Sequence, residues 1–341
     1  MTKQAYSGDK DGLCKGNDHY VKRFKMKKIL AVSLGLLILV LGGIYFLLPE
    51  TLFNIAVKAG RHSAGLARKE IQVDDHKIVY LEGGKGQTIL LIHGFAANKD
   101  NWILFAKYLT GDYHVVIPDI PGFGESSQIQ SESYAAENQL KRIDQFTEAL
   151  KLERFHLAGN SMGGMLAAMY GAKYPQKVIT LALLAPGGVG SPNPSEVAIL
   201  LQKGTNPLLT GSIEDFDRLI KLCFAKPPFI PSQFKKVLAG DAIAHRDFNK
   251  KIWDDMVGKL TQEALSSREN LLKPYLPQIE APVLIIWGDA DKILDVGGAS
   301  VLEKNLKNYQ TIIMKETGHT PMLEKPQETA SYYVSYLKGK K

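Results

Sequence analysis

Gly159-x-Ser161-x-Gly163 stands in the run FHLAGNSMGGM, directly after an apolar, strand-like stretch and before a helix-like one. That context suits a nucleophile elbow, a sharp strand-to-helix turn that presents a serine on a strained backbone while small residues two before and two after let neighbouring chains approach. A serine hydroxyl is a poor nucleophile at neutral pH, so a histidine must take its proton and an acid must orient that histidine. With such an elbow the order along the chain is serine, acid, histidine. Of the eight histidines only His245 and His319 follow Ser161. His245 falls in a stretch without strands, whereas His319 follows the last strand-like run, QTIIM, in ETGHTPMLEKP. His319 is the expected base. For the acid, VLIIWGDADKILD offers Asp289, Asp291 and Asp295. Spacing leaves that choice open, since Asp289 also suits a solvated turn and Asp295 a cap on the following helix. A tetrahedral intermediate needs N–H donors as well. Met162, after the serine, and Phe95 in His93-Gly94-Phe95, after the strand TILLIH, are the expected pair. His93 precedes the nucleophile and reads as a packing or hydrogen-bonding residue that shapes this loop.

The elements that must hold these residues are legible from Ile71 onward. IQV and KIVYLE read as a hairpin around Asp74 and Asp75, followed by TILLIH, HVVIP, FHLAG, VITLALL, VLIIW and QTIIM. The later runs are continuously apolar, as strands buried on both faces should be. Leu140, Ile143, Phe146 and Leu150 keep a period near 3.6, as do Met165, Ala168 and Met169. Alternating strand and helix imply a mainly parallel sheet. The rhythm fails between residues 186 and 276, which are rich in Leu, Phe and Pro without a convincing strand. The economical division is a core of 71–185 and 277–341 with an inserted helical cap of 186–276. Phe216, Leu219, Ile220 and Phe224 form either the cap's packing face or a lining for acyl chains.

Charge and hydropathy describe the rest. Residues 1–28 carry eight Lys or Arg against three Asp, so +5 of the formal +7 lies in that tail and only +2 after Pro49. A nearly neutral body gives no footprint for nucleic acid. Ile29 to Leu48 is uncharged for twenty residues, enough to cross a hydrocarbon core of roughly 30 Å. A signal h-region usually runs about 7–15 residues to a small-x-small site, which favours an anchor over a cleaved signal. Lys22, Arg23, Lys25, Lys27 and Lys28 flank the span and predict a cytoplasmic tail with the remainder on the periplasmic or extracellular side, by the positive-inside rule. Secretion after cleavage is the alternative. Met26 opens MKKILAVSL, which itself reads as a translation start. Residues 49–70 form a juxtamembrane linker in which Phe53, Ala56 or Val57, Gly60, Ala64 and Ala67 keep helical spacing, either as a basic helix on the lipid surface or as a solvated one. Cys14 and Cys223 lie on opposite sides of the span, and neither zinc-ligand spacing nor a Gly-rich phosphate loop is present. No metal or cofactor is therefore expected.

HGFAANKDNW, PDIPGFGESS, GNSMGG, IWGDADKILDVGGA and GHTPMLEKP together resemble the α/β-hydrolase superfamily. More narrowly, they resemble the bacterial family V lipases and the membrane-anchored monoacylglycerol lipases of the abhydrolase group, over about Leu66 to Leu337. The resemblance implies an α/β-hydrolase fold with a mainly parallel sheet flanked by helices, an inserted cap and an N-terminal transmembrane helix. It carries the nucleophile onto Ser161, the base onto His319, the oxyanion donors onto Phe95 and Met162, and the acid onto Asp291, three residues after the strand-end Gly288. The implied activity is hydrolysis of a lipid or other hydrophobic ester through an acyl-enzyme. A carbon–carbon bond hydrolase of the aromatic-degradation type and an inactive membrane-bound binding or scaffold protein are the rival readings. Epoxide hydrolases and dehalogenases use Asp where Ser161 stands.

Overall fold

The computed structural model describes Met1, residues 11–257 and residues 271–339. The chain divides into two compact units, Met1–Asn54 and Ile55–Lys341. In the first, helix α1 runs from Asp11 to Leu47. Its stretch Arg23–Leu47 is long and apolar enough to cross a membrane, and none of its described side chains is buried.

The second unit is built on eight strands: β1 (Leu66–Val73), β2 (His76–Gly83), β3 (Thr88–Ile92), β4 (His114–Pro118), β5 (Phe155–Ser161), β6 (Val178–Pro186), β7 (Val283–Gly288) and β8 (Tyr309–Met314). They lie in the order β1-β2-β4-β3-β5-β6-β7-β8. β1, β2 and β4 pair antiparallel, and every pair from β4–β3 to β7–β8 is parallel. β3 shows why its run is apolar throughout. Leu90 and Ile92 enter one core cluster while Ile89 and Leu91 enter the other, so both faces are covered. α4 (Ala136–Ala149) and α5 (Met162–Lys173) cover the first face, and α3 (Ile103–Ala106) and α12 (Pro326–Lys338) cover the second.

Two boundaries differ from the expectation. β1 begins at Leu66, five residues before Ile71, because Arg68, Lys69 and Glu70 are edge-strand residues whose side chains face out while their backbones pair with β2. Charge on an edge strand also discourages pairing with foreign strands. Helix α2 spans Pro49–Ser63 and stops short of Ala64 and Ala67, since Gly65 takes φ +66° and turns the chain into β1. Nor is the end of α2 merely solvated or lipid-facing. Arg61 Nε and Nη2 donate to the two carboxylate oxygens of Asp100 at 2.7 and 2.6 Å, and Val57 packs on the second core cluster. Lys99 beside it is buried, its Nζ 2.7 Å from both Asp119 and Glu125. This network fixes the segment that follows Phe95.

The expected cap region holds α6 (Glu196–Gln202), α7 (Ile213–Cys223), α8 (Ser232–Ala244) and α9 (Arg246–Val257) between β6 and β7. Residues 258–270 of that expected cap lie outside the described residues. Leu219 packs on the small cluster of Val197, Leu222 and Ile293, and Phe216 and Phe224 are buried, so this stripe is at least in part a packing face.

Candidate active site

Ser161 sits where β5 meets α5, with φ +56° and ψ −121°. A non-glycine residue held there stores on the order of 1–3 kcal/mol of strain, and the glycines around it explain how the turn closes. A Cβ on Gly159 would come within 2.1 Å of the Gly163 carbonyl oxygen. One on Gly163 would lie 2.3 Å from the Ile92 oxygen and 2.4 Å from that of His93. Only glycine lets β5, α5 and the end of β3 converge so closely.

His319 lies on the loop after β8, and its Nδ1 is 2.8 Å from Oδ2 of Asp291. The structure thus separates the three aspartates that spacing left open. Asp291, its side chain excluded from solvent, also accepts from Trp287 Nε1 at 3.2 Å and from the N–H groups of Ile293 and Leu294 at 2.8 and 3.0 Å. Four donors around one buried carboxylate fix its orientation toward His319. Asp289 is partly exposed, 3.5 Å from Lys315 Nζ. Asp295 accepts from Ser191 Oγ and, at 3.0 Å, from Gly297 N, a turn role at the entry to α10 (Gly298–Glu303). His245 closes α8 with Nδ1 2.9 Å from the Asp241 carbonyl.

Phe95 occupies the turn Gly94–Ala97, closed by Ala97 N donating to the Gly94 carbonyl at 3.3 Å. That turn abuts Ser161, since a Cβ on Gly94 would lie 3.3 Å from Ser161 Cβ. Met162 is the first residue of α5, where a helical N–H has no acceptor within the helix. His93 underpins the turn. Ile120 N donates to His93 Nε2 at 3.0 Å, which leaves Nδ1 to donate to the Gly94 carbonyl at 2.8 Å. Full burial pushes the His93 pKa below its ordinary value and keeps that neutral tautomer. Among the described residues the Ser161 hydroxyl makes no hydrogen bond to His319, whose bonds run to Asp291, Asn160 and Cys223. Loose geometry of that kind is common before substrate binds. No group of three or more His, Cys, Asp or Glu among the described residues could hold a metal ion.

Several contributors carry no sequence signal of their own. Asn160, the unspecified residue inside the elbow motif, donates from Nδ2 to the carbonyls of Leu184 and His319, both at 3.0 Å. Trp253 on α9 meets the Phe95 ring edge-on at 5.4 Å between centroids and so reaches over the turn that carries Phe95. The Cys223 carbonyl accepts from His319 N at 2.8 Å.

An elbow serine and a loop histidine at the carboxyl ends of a mainly parallel sheet define the class. The chain belongs to the alpha/beta hydrolase fold family, whose pattern matches residues 87–326. It is 38% identical over 266 residues to Lipase 1 of Psychrobacter immobilis, covering 76% of this chain and 80% of that one. Against monoacylglycerol lipase ABHD6 of Mus musculus the identity is 32% over 319 residues, 89% of this chain and 92% of the relative. Among solved structures, a membrane phospholipase A described as a bacterial virulence factor superposes with TM-score 0.82 at 41% identity, covering 94% of this chain and 99% of that one.

Proposed function

We propose that this chain is a membrane-anchored serine ester hydrolase acting on lipid esters, with acylglycerols as its substrate class. The observation that carries the reading is the 2.8 Å bond between His319 Nδ1 and Asp291 Oδ2 beside a serine strained to φ +56°. With Nδ1 bonded to the carboxylate, Nε2 is left to take the Ser161 proton as Oγ attacks the ester carbonyl. The N–H groups of Phe95 and Met162 stabilise the oxyanion, His319 returns its proton to the departing alcohol, and water then cleaves the acyl-serine by the same route. The names of three relatives, a lipase, a monoacylglycerol lipase and a membrane phospholipase, support lipid esters over the dienones of carbon–carbon bond hydrolases. An uncharged span longer than a signal h-region supports an anchor, which would keep the domain where such substrates partition. The basic residues ahead of it support a cytoplasmic tail and a catalytic domain on the far side.

The test is to assay detergent-solubilised full-length protein on p-nitrophenyl esters of increasing chain length beside mono- and triacylglycerols. Turnover of long-chain esters and a glyceride is expected. Lack of ester turnover in folded protein would refute the reading, and a dienone-only activity would replace it with the carbon–carbon bond hydrolase.

A further inference from the structure

Glu324 ends the short helix α11 (Pro321–Glu324), five residues after His319, and points back at the loop it follows. Its Oε2 accepts from Gly318 N at 2.7 Å and from Ala225 N at 3.3 Å, and its Oε1 accepts from Lys226 N at 2.9 Å. One carboxylate thus joins two segments that are distant along the chain: the loop carrying His319 and the backbone immediately after α7. A fourth bond runs the other way, from His319 N to the Cys223 carbonyl at 2.8 Å. Contact between the segments leaves no room for a side chain, since a Cβ on Gly318 would meet the Cys223 oxygen at 2.5 Å and Ala225 N at 2.8 Å.

From this arrangement we infer that Glu324 is a positioning residue that clamps the segment 223–226 to the His319 loop, so that the base is placed by the cap as well as by Asp291. Asp291 fixes the far side of the imidazole, but the height of the ring over Ser161 depends on its backbone. That backbone is held by three groups: Asn160 Nδ2 on the His319 carbonyl, the Cys223 carbonyl on its N–H, and Glu324 on the N–H of Gly318. Only Glu324 holds both segments with a charge, and charge-assisted bonds are the stronger kind. Movement of the cap backbone would therefore displace the base.

The inference rests on the reading of His319 as the base, and the experiment separates the two. Full-length protein with Cys14→Ser leaves Cys223 as the single thiol, a half-buried group whose pKa burial pushes up to about 12 and which should react slowly while the clamp is closed. In that background Glu324→Gln keeps size and shape but replaces one accepting oxygen with a donor. Active sites are counted with a fluorophosphonate, and kcat and KM are measured per counted site on a p-nitrophenyl ester. A displaced base should lower kcat by about 10- to 100-fold while KM moves less than about threefold. Alkylation of Cys223 by iodoacetamide should become at least about tenfold faster as the segment opens locally. If Glu324→Gln yields too little folded protein, Glu324→Asp, which keeps the charge but shortens its reach, carries the same comparison. Per-site kcat within about twofold of the parent, a loss carried by KM, or unchanged Cys223 alkylation would each overturn the inference. His319→Ala tests the underlying reading: retained activity there removes the base itself, whereas an inactive His319→Ala beside an unaffected Glu324→Gln removes only the clamp.

Discussion

Asn160 and His319 are joined across the sheet by a buried bond of 3.0 Å, from the Asn160 side-chain amide to the His319 carbonyl. The same amide reaches the Leu184 carbonyl at 3.0 Å, so the residue before Ser161 ties the histidine loop to β6. Replacing Asn160 with Ala strands two buried carbonyls, at a cost of about 1–3 kcal/mol. We expect a lowered Tm together with reduced kcat in the protein that remains folded. Thermal melting beside per-site kinetics checks this, and a variant with wild-type kcat and Tm would show that the bond neither stabilises nor positions.

The three aspartates now carry distinct expectations. Asp291→Asn removes the charge that fixes the His319 tautomer and should lower kcat on the order of 10⁴-fold in a folded protein. Asp289, against Lys315, and Asp295, in a turn with Ser191 and Gly297, bond to neither Ser161 nor His319. Asp289→Asn and Asp295→Asn should keep at least about a tenth of wild-type kcat, with losses of about 0.5–2 kcal/mol confined to stability. Kinetics and melting curves of the three proteins decide the assignment, which an inactive Asp289→Asn beside an active Asp291→Asn would reverse.

Gly163→Ala places a methyl group 2.3 Å from a backbone oxygen of β3. Overpacking of this kind costs about 1–3 kcal/mol, and relief must push α5 away from the turn that carries Phe95. A displacement near 1 Å lowers turnover by about 100-fold, so the expected result is poor activity even in the folded fraction. Wild-type kcat in Gly163→Ala would show that α5 can withdraw without disturbing the proposed donors at Phe95 and Met162.

Stability should fall in acid partly through Glu125. Burial opposes its ionisation, but bonds from Lys99 and Arg68 outweigh that and hold its pKa down to about 2 against an ordinary 4.5. A depressed carboxylate stabilises the fold above its unfolded pKa and loses that contribution as pH falls through the folded value. The side chain is 42% exposed, so screening keeps the contribution below about 1 kcal/mol. The Tm gap between wild type and Glu125→Gln should hold from pH 7 to about 5 and close between about 4.5 and 2. A gap that widens in acid would contradict the ion-pair account.

Much of this architecture is legible in the amino-acid sequence. A hairpin pattern in IQV and KIVYLE and the six apolar runs after it identify the eight strands, and Gly159-x-Ser161-x-Gly163 marks the strand-to-helix turn because only small residues permit its backbone contacts. The acid is less legible. Asp289, Asp291 and Asp295 share one turn, and what distinguishes Asp291 is the direction of its side chain, which spacing does not encode. Asn160 and Glu324 lie inside motifs whose other positions are read first, and each acts through backbone groups far away in sequence, as does the Cys223 carbonyl. The early start of β1 escapes for a different reason: Arg68, Lys69 and Glu70 look like linker, and only pairing with β2 makes them a strand.

The most direct test of the central claim is the identity of the residue that a fluorophosphonate modifies in the full-length protein. Mass spectrometry of the labelled digest should place the phosphonyl group on Ser161 alone, and Ser161→Ala should abolish labelling while lowering kcat by up to about 10⁶-fold. Labelling of a different residue, or near-wild-type ester turnover by Ser161→Ala, would contradict the account.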